Sequence, residues 1–467
     1  GVKLSFYFLS LLIVAIAAIG GTYAWIGRSV TLPSTVEIIQ GTNSSTLDIA
    51  ASERIGAVYQ TLLNNYVEGV DKEALIEGAL SGMVEAVGDP YSQYLNTEES
   101  ENLDESISAS FEGIGAEIMS LNQQIVIVSP IKGSPAEKAG LLPNDIILSA
   151  DGESLQGLTA SEAVALIRGE KGSEVVLEIV RGDQTFKVNI TRDTIPIETV
   201  TFELDEEYPE IGIVHVSSFS TPTYDDIVSA VTDLRTQGAT SFVFDFRQNP
   251  GGLLDQALKI SNMFLDDGDV IMQTQEKDAE PNKIVASDSE FGDFKITEPS
   301  VLLVDEGSAS ASEIVAGALQ ESSEIPLVGT TTFGKGTVQT VYPLTESSEL
   351  KLTVAKWLTP NGNWIHQKGI AVDYEVALPE YATLTIIDST ATYEEGTVSE
   401  EVKNVEAMLN AIGYAVEADG YYDEATVEQV ASFQAANELD ATGIVTGDTA
   451  LAIVEKLREV LTENDTQ

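Results

Sequence analysis

Apolar and polar positions divide this chain into segments of different period. Residues 4–26 contain no charged side chain, and Lys3 and Arg28 bound them. These 23 residues, at about 1.5 Å per helical residue, reach roughly 34 Å, slightly more than a bilayer core. They predict one membrane-spanning helix, with Tyr23 and Trp25 at the interface. A cleaved leader is the alternative, because Ala15-Ile16-Ala17 forms a small-residue site, but a cut there would halve the run. Residues 30–47, rich in Thr, Ser and Gly, read as a tether. Helical spacing then covers 48–88 (Ile55, Val58, Leu62, then Leu75, Ala79, Met83, Val87), and Asp89-Pro90 stops it.

From 105 to 185 short strands are expected at 115–119, 125–128, 146–150, 174–180 and 185–190. Thr159 and Glu162 have capping-box spacing and open a helix that runs to Ile167. From 196 to 375 apolar strands at 211–216, 241–246, 301–304 and 326–328 alternate with helical runs near 224–237, 253–265 and 310–321, an α/β pattern. The fold class is therefore α/β multidomain. Its predicted parts are an anchor at 1–29, a tether and helical part at 30–104 and a strand-rich domain at 105–185. An α/β core at 186–378, a polar linker at 379–399 and a small helical domain at 400–463 complete it.

Charge and rare residues narrow the chemistry. Lys and Arg number 24 against 75 Asp and Glu, a formal charge of -51. A surface that negative repels phosphate backbones, so no nucleic-acid partner is expected. With 43% hydrophobic residues the chain still has material for real cores. It has no cysteine, which removes thiol nucleophiles, disulfides and Cys-ligated zinc. Its two histidines, His215 and His366, are far apart in sequence, and no metal site or cofactor is expected. His215 reads as a half-buried strand residue and His366 as a loop residue, neither catalytic. A hydrolase built from this chain needs another base. The acidic remainder after a single span is expected outside the cytoplasm.

Two segments carry candidate chemistry. In 307–313, Ser310 and Glu313 have capping-box spacing just after an apolar strand, which puts Ser310 at a helix start. Free N–H groups and the helix dipole there favour an oxyanion. The plain alternative is that Ser308, Ser310 and Ser312 only cap a helix. In 333–339, Lys335 sits in a Gly-flanked turn. Gly329 to Lys335 also spells G-x-x-x-x-G-K, but Gly336 stands where a phosphate loop needs Ser or Thr for magnesium.

Together these segments resemble the carboxy-terminal processing proteases, also called tail-specific proteases, whose S-A-S-E and F-G-K-G-T-V-Q motifs carry a Ser/Lys dyad. The resemblance implies Ser310 as nucleophile, Lys335 as general base 25 residues on, and Gln339 as the residue that orients the lysine. Asp89-Pro90-Tyr91-Ser92-Gln93-Tyr94-Leu95 resembles the family's D-P-Y-S-x-Y-L. Asp245-Phe246-Arg247-Gln248-Asn249-Pro250-Gly251-Gly252 resembles D-L-R-x-N-P-G-G, with Phe246 in place of Leu. Gly251 or Gly252, with Ala311, is the implied oxyanion hole. A lysine base must be neutral, so its pKa has to fall from about 10.4 toward 7–8. The net negative charge opposes that, and burial of Lys335 without a carboxylate partner is therefore required.

The order of elements in 105–185 resembles a PDZ domain, as does the stretch from Gly133 to Ile146. By that resemblance Gly113, Ile114, Gly115 and Ala116 bind a free peptide carboxy terminus, and Val164 and Ile167 line its side-chain pocket. Arg168, placed with them, is either a solvated charge or a link to the protease core. The pattern Ile412-Gly413-Tyr414, Asp419-Gly420-Tyr421-Tyr422 and Phe433-Gln434 resembles peptidoglycan-binding modules of bacterial envelopes. The reading is a single-pass protein of a bacterial cell membrane. Its extracytoplasmic part would be a serine endopeptidase acting on proteins with free C-termini, with peptidoglycan and a homodimer mate as further partners. A non-catalytic scaffold bridging C-termini and peptidoglycan, or a peptidase acting on peptidoglycan stem peptides, are the competing readings.

Overall fold

In a computed structural model of the chain, residues 49–345, 347–377, 384–385 and 387–464 are described, in two compact units that divide after Asp373. The span expected at 4–26 and the tether lie outside the described residues. Among the described residues no helix is long and apolar enough to cross a membrane.

The periodic segment 48–88 forms two helices, Ile49–Asn65 and Lys72–Glu85, because Asp71 caps the second by accepting the Ala74 N–H (2.9 Å). The apolar positions behind the helical spacing stay outside any core: Val58 is 63% exposed and Met83 51%.

The next part alternates as expected. Strands Ala116–Leu121, Gln124–Pro130, Ile146–Ala150, Glu174–Arg181 and Gln184–Thr191 make an antiparallel sheet in that order, with Ala116–Leu121 at an edge. Their inward positions, among them Ile127, Ile147 and Leu177, close a core with Ala163 and Ile167 of helix Ala160–Ile167. A ribbon pairing Ser110–Gly113 with Asp193–Pro196 brackets this domain at its two chain crossings.

Parallel strands Ile211–Val216, Ser241–Asp245, Ser300–Val304 and Leu327–Gly329 adjoin one another, and Val200–Leu204 pairs antiparallel with the first. Buried Val214, Phe242, Phe244 and Leu302 pack with helices Thr223–Gln237, Leu254–Asn262 and Ala311–Ser322. A second, antiparallel sheet was not anticipated. Its order is Gln93–Leu95, Glu349–Leu358, Val270–Glu276, Asn282–Val285, with Thr337–Pro343 on the other side of Glu349–Leu358.

In the second unit, helices Glu400–Ala411, Glu424–Ala436 and Gly447–Asn464 enclose Val405, Leu409, Tyr422, Phe433 and Ile453. The stretch at 379–399, expected as a polar linker, contributes two buried residues to this core. Ile387 and Tyr393 are buried in this core, and Tyr393 bridges Val445, so a few apolar residues in a polar sequence suffice to dock the strap.

Candidate active site

Ser310 lies directly before helix Ala311–Ser322, whose residues from Ala311 to Leu319 are all buried. Its backbone has φ 56° and ψ -112°, a conformation that costs a non-glycine residue about 1–3 kcal/mol. Such a sharp strand-to-helix turn lifts a side chain clear of the chain on either side. Gly251 permits the turn. A Cβ there would lie 2.6 Å from Ala309 O and 2.8 Å from Ala311 N, and its φ of +96° suits only glycine.

The expected oxyanion donors separate. Gly251 N–H donates to Asn249 Oδ1 (2.9 Å), and so is already committed. The N–H groups of Ala311 and Gly252 meet no acceptor among the described residues. Asn249 itself is fully buried, and its side chain donates to Val216 O (2.7 Å). It thus fixes the glycine turn against the parallel sheet.

Lys335 occupies a turn whose backbone is fully satisfied. Gly334, Lys335 and Gly336 carbonyls accept from Gln367 N (2.8 Å), Trp357 Nε1 (2.7 Å) and Trp364 Nε1 (2.8 Å). Gly334 and Lys335 N–H groups donate to Glu313, and the Gly336 N–H donates to His366 Nδ1 (3.4 Å). Its side chain is the opposite: Nζ makes no hydrogen bond or ion pair among the described residues and lies 5.2 Å from the centre of the Tyr91 ring. Burial pushes the Lys335 ammonium below its usual 10.5, and the nearby Lys351 charge adds to this; Glu313 and Asp89 oppose it. A cleft of about 540 Å³ is lined by Tyr91, Gln248, Pro250, Ala309, Phe333 and Lys335 among others, so the lysine and the residue before Ser310 face the same space.

Gln339 is placed differently from the expectation. Its amide donates to Thr337 Oγ1 (2.9 Å) and Thr353 Oγ1 (3.1 Å), and no bond joins it to Lys335. The bulge between Val338 and Gln339 sets it in register with Thr353 instead. His215 is half-exposed, with Nδ1 3.1 Å from Asp245 Oδ2. His366 is nearer the site than its loop position suggested, stacked on Trp364 and edge-on to Tyr91. Tyr91, Asn249 and Glu313 are site residues to which the sequence reading gave no role, although Tyr91 and Asn249 stood inside family-like motifs and Glu313 at a capping-box spacing. Among the described residues no group of side chains could hold a metal ion.

The candidate peptide site has matching features. Gly113, Ile114 and Gly115 are buried, and the N–H groups of Ile114 and Gly115 meet no acceptor among the described residues. Ala116 begins the edge strand, so a further strand can add beside it. Val164 is half-buried, whereas Ile167 belongs to the domain core. Arg168 is part-exposed but paired: Nη1 donates to both Glu105 oxygens (2.8 and 2.9 Å), and the guanidinium lies over the Phe111 ring.

The chain is similar to several known proteins. The model of peptidase family S41 matches residues 210–376, that of the activating protease CtpB N-terminal domain 14–99, that of the PDZ domain 126–181, and that of a putative peptidoglycan binding domain 398–453. The carboxy-terminal processing protease CtpA of Bacillus subtilis (strain 168) is 44% identical over 430 residues, 92% of this chain and 91% of that one. A probable CtpA-like serine protease of Staphylococcus aureus (strain N315) is 37% identical over 91% of this chain and 85% of its own. Among solved structures, the photosystem II D1 C-terminal processing protease is 28% identical, covering 70% of this chain and 86% of that one at a TM-score of 0.41.

Proposed function

The chain belongs to the carboxy-terminal processing proteases of peptidase family S41, and on that premise we propose that it is a membrane-anchored, extracytoplasmic endopeptidase of a bacterial envelope working through a Ser310–Lys335 dyad. Family membership makes it a serine-type peptidase carrying a PDZ domain. The observation that carries the dyad is a half-buried lysine with no ion pair among the described residues, its basicity lowered by desolvation, facing the cleft beside Ser310.

The PDZ domain takes the substrate's free carboxylate on the Ile114 and Gly115 N–H groups, and its last residues add along Ala116–Leu121. Neutral Lys335 accepts the Ser310 proton as Oγ attacks the scissile carbonyl. The oxyanion is held by the N–H groups of Ala311 and Gly252. Collapse expels the amine, which takes its proton from Lys335. Water then hydrolyses the acyl-enzyme with Lys335 again as base. The side chain must close on Oγ when substrate binds, as catalytic hydrogen bonds often do.

The carboxy-terminal unit is read as a peptidoglycan tether because residues 398–453 match a peptidoglycan-binding domain; a chain truncated before Glu400 should leave isolated cell walls yet keep peptide hydrolysis. The exposed apolar positions of helices Ile49–Asn65 and Lys72–Glu85 support a homodimer, which sedimentation of the chain and of a Val58→Lys, Met83→Lys variant tests. The test of function is incubation with a peptide ending in a free apolar residue. Cleavage by the parent and none by Ser310→Ala is expected; binding without cleavage by the parent would leave a scaffold.

A further inference from the structure

Glu313 is fully buried and forms no ion pair among the described residues, yet its carboxylate is saturated. Oε2 accepts the Ser310 N–H (2.9 Å) and the Lys335 N–H (2.8 Å); Oε1 accepts the Gly334 N–H (2.6 Å) and the Thr332 hydroxyl (2.6 Å). Thr332 Oγ1 in turn accepts the Ile370 N–H (2.8 Å), drawing in a third segment. All four neighbours donate, which suits an acceptor-only, ionised carboxylate. An isolated buried charge would be expensive, and hydrogen bonds of this kind, with a charged acceptor, are what offset it.

A capping box needs only one end of this set, the bond to Ser310 N–H that closes the helix start. The remaining three bonds serve no helix. They run to the turn that carries Lys335, 22 residues downstream, and so fasten the helix start to the loop that crosses from the parallel layer to the antiparallel sheet. One oxygen, Oε2, touches the backbone N–H of both proposed catalytic residues. A lateral move of either residue therefore breaks a bond to the same atom.

We propose that Glu313 is a positioning residue for the proteolytic reaction, a single buried carboxylate that holds the Ser310 turn and the Lys335 turn in register. The proposal rests on the dyad reading above. Its second consequence is electrostatic. The groups facing Lys335 are Lys351, which favours its neutral form, Glu313 and Asp89, which favour the ammonium, and the Tyr91 ring. Glu313 therefore holds the lysine in place while opposing its deprotonation. Removing the charge while keeping the shape should uncouple the two effects.

The test uses the full chain and a peptide with a free apolar carboxy terminus, with kcat and KM followed across pH. Glu313→Gln puts an amide donor among four donors, so kcat should fall by about 10²-fold while KM, set largely at the PDZ domain, changes little. Its acid limb should move to lower pH, because the charge that favours the ammonium is gone. Glu313→Asp keeps the charge but loses reach, so kcat should fall with the limb unmoved; it also serves if the glutamine variant fails to fold. An unmoved limb in folded Glu313→Gln, a limb moved to higher pH, or wild-type kcat in Glu313→Asp overturns the role of Glu313. Full activity of Lys335→Ala would instead overturn the dyad, so the two failures are separate.

Discussion

The two halves of the proposed active site are built in different ways. Ser310 sits on a short loop between a parallel strand, Ser300–Val304, and a helix buried along most of its length. Its position follows from the core of the α/β layer. Lys335 sits between a strand of that layer, Leu327–Gly329, and one of the antiparallel sheet, Thr337–Pro343. Its turn is held by hydrogen bonds with side chains distant in sequence: the indoles of Trp357, a core residue, and of Trp364, the His366 ring and the Glu313 carboxylate. The nucleophile is thus fixed mainly by the packing of its helix, with one bond from its N–H to Glu313, and the base by a hydrogen-bonded frame in which, among the described residues, the lysine tip has no partner. A pinned backbone with an unpaired tip is what a lysine base needs, since any carboxylate partner would hold it protonated.

The largest effects should come from cutting either half. Ser310→Ala and Lys335→Ala should each lower kcat by roughly 10³-fold or more, and the double variant should lose little beyond either, because the two groups act as a unit. Additive losses in the rates of folded variants would mean they do not. Gly251→Ala attacks the nucleophile half alone. It pushes a methyl against the Ala309 carbonyl at a positive φ, and kcat should drop by about 10²-fold with a lowered Tm. Unchanged kcat would show that the Ser310 turn is less constrained than its geometry indicates.

A smaller effect should come from Lys351→Met, which attacks the base half through charge only. The Lys351 cation helps hold Lys335 below its ordinary range, so its loss should move the acid limb of kcat/KM to higher pH and leave the alkaline plateau intact. An unmoved limb would remove Lys351 from the account. Smaller again is amidation of a substrate's carboxy terminus. It should raise KM and leave kcat close to its original value if, as proposed, the Ile114 and Gly115 N–H groups bind the carboxylate, since N–H donors hold a carboxylate more strongly than an amide. Equal KM for acid and amide would contradict the carboxylate role of that loop.

The same asymmetry explains what was legible in the sequence. Strands Ile146–Ala150 and Ile211–Val216 were read at their observed bounds, because alternation and buried apolar runs are local signals. The Ser310 helix start was visible for the same reason. The antiparallel sheet was not, since Thr337–Pro343 and Glu349–Leu358 mix polar and apolar residues and are mostly half-buried. Glu313 looked like a cap because its other three bonds reach far along the chain. Gln339 was assigned from a motif, and a one-residue bulge turned its amide to two threonines. Helices Ile49–Asn65 and Lys72–Glu85 show the limit of periodicity, which announces a helix but not what covers its apolar side.

The central claim is that neutral Lys335 activates Ser310, and the pH dependence of kcat/KM measures it most directly. The lysine must lose its proton to work, so activity should be present above its lowered pKa and lost as pH falls through it. The parent, His215→Gln and His366→Gln should share that single acid limb, and Lys335→Arg should be as inactive as alanine because a guanidinium stays protonated. Substantial hydrolysis by Lys335→Arg at neutral pH, or disappearance of the limb in either histidine variant, would contradict the account and assign the base elsewhere.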